Sequence, residues 1–123
     1  MDALWIGAFV CAVALLGVMP ATVDAESLAR RAVHGRVLLE QNCARCHAID
    51  RTGDSPMTTA PPMRDVYTRF LPRELEAELE EGMLSYSKDM PQIMFSSEDA
   101  DAILAWLYLL AARKNERGTA TTR

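Results

Sequence analysis

From Ala3 to Met19 no side chain is charged, and from Glu26 onward apolar positions recur with the period of an α-helix. Leu28, Ala32, Gly35 and Leu39 fall on one face and predict a helix over Glu26 to Gln41, with Ser27 able to cap it. Arg30, Arg31 and Arg36 lie off that stripe and read as solvated. A glycine inside a helix costs about 1 kcal/mol relative to alanine, so Gly35 fits best where another backbone must come close. A second helix is predicted over Leu71 to Glu81. Pro72 suits its first turn, Leu71, Leu75 and Leu79 form its stripe, and Gly82 fits the stop. Its five glutamates read as a solvated face, with Glu74 and Glu76 also well placed for the helix N-terminus. Ser96 caps a third helix whose apolar stripe is Ala100, Ile103, Leu104, Leu107 and Ala111. Arg113, Lys114 and Arg117 near its end complement the helix dipole, and residues 118–123 are expected to fray.

Residues 48–66, with Gly53, Pro56, Pro61 and Pro62, read as loop, as do residues 84–95. No stretch alternates with period two for long enough to make a strand. The pattern is therefore all-α, with three main helices, one domain and no repeat.

The uncharged run ends at Pro20, followed by Val23-Asp24-Ala25, a small-x-small pair of the kind a signal peptidase cuts after. Residues 1–25 are read as a cleaved secretory signal and residues 26–123 as the mature domain, which places the protein in the periplasm. The alternative is that residues 3–19 stay as a membrane anchor. The leading Met1-Asp2 lacks the usual basic residue, and the run is near the ~17-residue lower limit for a spanning helix. Removing 25 of 123 residues, with the acids Asp2 and Asp24, leaves 98 residues carrying 13 basic and 15 acidic side chains. That balance argues against a nucleic-acid partner.

Of three cysteines, Cys11 lies in the signal, where the bulky Phe9 two positions earlier argues against lipidation. The other two form Cys43-Ala44-Arg45-Cys46-His47, the C-x-x-C-H pattern of covalent haem c attachment. Two thiols three residues apart at a helix end can add to the two vinyl groups on one edge of a porphyrin. The histidine that follows then reaches the iron. A zinc site would need further ligands, yet His34 is the only other histidine. A thioredoxin-like dithiol expects a βαβ setting, and a plain disulfide leaves His47 unexplained. For the sixth position of the iron, His34 reads as a solvated helix residue. Met90 stands out among the methionines because Pro91 stiffens its backbone and keeps the segment out of helix. Met94, close by in the same loop, is second choice and is otherwise expected to pack in the apolar wall.

Taken together, these residues resemble the class I c-type cytochromes of the small bacterial monohaem kind, across nearly all of residues 27–112. The resemblance rests on Gly35 and Leu39 before the C-x-x-C-H motif, and on Ala60-Pro61-Pro62-Met63 with Val66, Tyr67 and Arg69. It continues with Asp89-Met90-Pro91, then Phe95-Ser96-Ser97-Glu98 and Ala105-Trp106-Leu107. It implies a cytochrome c fold wrapped around one covalent haem. The first and last helices should then cross through Gly35 and an aromatic, Trp106. It also implies that Pro61 accepts a hydrogen bond from His47 through its carbonyl, that Arg69 meets a haem propionate, and that the protein is a monomeric electron carrier between redox partner proteins. Leu39 stands where many relatives have an aromatic, and Tyr86-Ser87-Lys88 where several have Gly-His before the methionine. Filled histidine and methionine positions suit electron transfer rather than oxygen binding. No acid–base constellation accompanies the motif, so an enzyme is not expected. Two alternatives stay open: a haem enzyme or sensor with an open sixth site, and a haem subunit held in a dehydrogenase complex.

Overall fold

The computed structural model describes residues 21–83 and 87–120, with side chains over 24–83 and 87–113. The apolar run at residues 3–19 and Tyr86 lie outside the described residues. Four helices follow one another: α1 (Ala21–Asn42), α2 (Met63–Val66), α3 (Pro72–Glu81) and α4 (Ser97–Ala120). No strand occurs among the described residues. The all-α, cytochrome c-like expectation holds, and no described helix is long and apolar enough to cross a membrane.

Three helices match their sequence signals with small shifts. α1 starts before Glu26, so Ser27 is not a cap. Its hydroxyl lies inside the helix and donates back to the Asp24 carbonyl at 2.8 Å. In α3 the Glu74 carboxylate accepts the Leu71 N–H at 3.1 Å, and Gly82 ends the helix with φ 90°. That left-handed turn is what glycine permits at a helix stop. At α4 the Ser96 hydroxyl accepts the Asp99 N–H at 3.1 Å, the expected cap. α4 runs on to Ala120 instead of fraying from Gly118. The four-residue α2 sits inside the predicted proline-rich loop. Pro62 precedes it with ψ 143°, and its carbonyl takes the Val66 N–H at 3.2 Å. A turn this short has too few residues to show helical periodicity.

α1 packs chiefly on α4. Gly35 is the reason the two can approach. A Cβ placed on it would lie 1.9 Å from the Ala102 carbonyl oxygen and 2.7 Å from the Ile103 nitrogen. The close partner of Gly35 is thus the backbone at Ala102 and Ile103. Trp106, the aromatic expected there, lies four residues further along α4, and its indole N–H donates to the Ile49 carbonyl at 2.9 Å. Outside this approach two side-chain contacts join the helices, an ion pair of Arg31 with Asp101 at 2.8 Å and a contact of His34 with Asp99 at 3.6 Å. Each involves largely exposed groups and adds little.

The most deeply buried large side chains are Leu39, Leu75, Ile103 and Leu107, one each from α1 and α3 and two from α4. No polar or charged residue is buried among the described residues.

Gly35→Ala decides whether the helix approach is as close as described. Helix propensity alone would stabilise the variant by about 1 kcal/mol. The clash with Ala102 should instead destabilise it by about 1–3 kcal/mol, as overpacking does. Thermal unfolding of the two proteins should show a lower midpoint for the variant; a raised midpoint would rule the close approach out.

Candidate functional site

The motif Cys43 to His47 continues the winding of α1 by one turn. The Cys43 N–H donates to the Leu39 carbonyl at 2.8 Å, and the Cys46 and His47 N–H groups donate to the Cys43 carbonyl at 3.0 and 2.9 Å. This turn brings both thiols and the imidazole to one cavity of about 580 Å³. Cys43 and Cys46 are free and partly buried. Burial, helped by the neighbouring Cys46, pushes the Cys43 thiol up to about 11. It is therefore a neutral thiol at ordinary pH, and no free thiol remains to ionise once it is converted to a thioether.

The ring of His47 is oriented from behind. Its Nδ1 lies 2.6 Å from the Pro61 carbonyl oxygen. A carbonyl can only accept, so Nδ1 carries the proton and Nε2 keeps the lone pair that a metal needs. A histidine held in this way is fixed in tautomer and made more basic as a ligand.

The remaining cavity wall is mostly apolar. All four of the largest buried side chains, Leu39, Leu75, Ile103 and Leu107, border it. Arg45 and Arg69 are exposed residues that also line it. The volume falls in the roughly 300–1,000 Å³ range of sites that enclose a cofactor. Apolar walls, two thiols one turn apart, a histidine with a free Nε2 and exposed cations suit a haem, with its apolar ring, two vinyl groups, iron and propionates.

Met90 is half-buried and lines the cavity. Its N–H donates to the Ser87 carbonyl at 3.1 Å in the turn before Pro91. Met94 does not behave as expected. It is 76% exposed and not among the lining residues. Three other methionines border the cavity instead: Met57, Met63 and Met83. Met63 follows the proline pair and starts α2, where its side chain is buried. Met83 follows the Gly82 stop with φ 55°, a left-handed backbone at a non-glycine residue. In the sequence Met63 stood out only as the end of the Ala60-Pro61-Pro62-Met63 stretch and Met83 not at all, because loops have no periodicity from which to read a facing direction. Arg45, between the two cysteines, was likewise visible only as a motif spacer.

A family model described as "Cytochrome C oxidase, cbb3-type, subunit III" matches residues 30–107. No curated protein and no solved structure gives a significant match.

The exposure of Met94 and the burial of Met63 set their mutational costs apart. Met94→Ala should change stability by no more than about 0.5 kcal/mol, as for an ordinary surface position. Met63→Ala should cost about 2–5 kcal/mol through the cavity it opens. Denaturant unfolding of the haem-loaded variants checks both, and equal costs would contradict the placement of Met94.

Proposed function

The chain belongs to the family described as cytochrome c oxidase, cbb3-type, subunit III, and so to the c-type cytochromes, electron-transfer proteins with covalently bound haem c. From that premise we propose that it is a small monohaem cytochrome carrying single electrons between redox partner proteins in the periplasm. The observation that carries this reading is that Cys43, Cys46, His47 and Met90 all line one apolar cavity. In it Cys43 and Cys46 would hold the haem through thioethers, and His47 Nε2 and the Met90 sulfur would bind its iron. When bound, the haem supplies one-electron Fe(III)/Fe(II) chemistry. Histidine and methionine together favour the reduced iron and raise its potential, which suits a carrier. The thioether of Met90 is a weak, soft ligand, so the fold must hold it in place. The Ser87–Met90 turn and Pro91 supply that support. Arg69, exposed at the cavity, serves a propionate.

Export follows from the reading of residues 1–25 as a cleaved signal and residues 26–123 as the mature domain. N-terminal sequencing of the periplasmic protein should begin at Glu26; Met1 retained in a membrane fraction would instead make residues 3–19 an anchor.

Three substitutions test the ligand set. Met90→Ala should lower the potential, abolish the sulfur-to-iron charge-transfer band of the oxidised protein and let carbon monoxide bind the reduced iron. Met83→Ala and Met94→Ala should keep the band. Loss of the band in Met83→Ala with its retention in Met90→Ala would move the ligand to Met83. Ready binding of carbon monoxide by the native protein would favour an open sixth site over a carrier.

A further inference from the structure

The segment directly after His47 is bonded to three helices. The Ala48 carbonyl accepts the Met63 N–H at 2.8 Å, the Ile49 carbonyl accepts the Trp106 indole N–H at 2.9 Å, and the Asp50 carbonyl accepts from Arg64 at 3.3 Å. Arg64 also donates to the Gly53 carbonyl at 2.9 Å. The fourth attachment uses side chains only. Arg36, on α1, donates through Nε and Nη2 to the two carboxylate oxygens of Asp50, both at 3.1 Å. Its guanidinium lies 5.8 Å from the centroid of the Trp106 ring. The pair is therefore two-pronged and backed by the same indole that holds Ile49.

These contacts converge on a single hydrogen bond. The strap Ala48–Asp50 starts at His47, and its Ala48–Met63 bond lies beside the His47–Pro61 bond. Both connect residues 47–48 to residues 61–63. Whatever holds the strap in register also holds the imidazole against the Pro61 carbonyl. We propose that Arg36, acting through Asp50 and backed by Trp106, is a positioning residue for the iron-binding histidine. The proposal rests on the reading of His47 as the histidine that would bind the haem iron.

An exposed ion pair adds little to global stability; Arg36 and Asp50 side chains are 37% and 52% exposed. The effect belongs instead at the ligand. A histidine whose Nδ1–H is well bonded is a stronger donor and stabilises the oxidised iron. Loosening the strap weakens that bond, so the potential should rise.

The test uses the haem-loaded protein with Arg36→Gln, Arg36→Lys, Asp50→Asn and the Arg36→Gln/Asp50→Asn double variant. Arg31→Gln serves as control, because it breaks a comparable pair to Asp101 away from the strap. Two readouts apply: the midpoint potential, and the solvent exchange of the His47 Nδ1–H followed by NMR. Arg36→Gln and Asp50→Asn should each raise the potential and speed exchange about two- to five-fold, the factor expected for a coupling of this class. The double variant should add nothing to either single change. Arg36→Lys keeps the charge without the fork and should fall between wild type and Arg36→Gln. Unchanged potential and exchange in both single variants, on a wild type that shows histidine ligation, would overturn this proposal alone. So would a shift of the same size in Arg31→Gln. A wild type without a histidine-bound iron would overturn the reading beneath it.

Discussion

The fold is organised around a cavity of about 580 Å³ that its own side chains do not close. A small domain has little apolar surface to bury. Here the largest fully buried side chains, Leu39, Leu75, Ile103 and Leu107, all border the same cavity. On the proposed reading, the haem that fills it would be part of the hydrophobic core as well as the redox centre. A covalent link suits that double role, because the core then cannot be lost by dissociation when the iron changes charge.

Two features of the chain place the cavity. Gly35 lets α1 and α4 meet backbone to backbone, which sets the end of α1 beside the inner face of α4. The motif then continues α1 by one turn and delivers two thiols and an imidazole to the cavity wall. Arg36, next to Gly35 on α1, faces another way. It reaches Asp50 beyond the motif and Trp106 on α4. One short stretch of α1 therefore sets both the helix approach and the segment behind His47.

Much of this was legible in the sequence because it is local. The stripe Ala32, Gly35 and Leu39, the Ser96 cap, the Gly82 stop and the C-x-x-C-H turn are all fixed by neighbours within a few residues. What was not legible depends on residues far apart in the chain. Arg36 read as solvated because its partner Asp50 lies beyond the motif, and Trp106 finds Ile49 at 57 residues' separation. Ser27 read as a cap because the composition changes near Glu26, although α1 starts earlier. Met94 was placed in the wall and Met83 was missed because a loop side chain's direction follows from the backbone turn, and Met83 turns with φ 55° directly after the helix stop. Pro61 was placed through family resemblance rather than through its own local pattern.

The central claim is that the covalent haem completes the hydrophobic core. Far-UV circular dichroism and thermal unfolding should be compared between the mature chain produced with haem attachment and the same chain with Cys43→Ser and Cys46→Ser, purified free of haem. The haem-loaded chain should unfold in one cooperative transition, and the haem-free chain should lose most of its helix signal and any sharp transition. Equal helicity and an equally cooperative transition in the haem-free chain would show that the four helices fold without the group and would contradict the account.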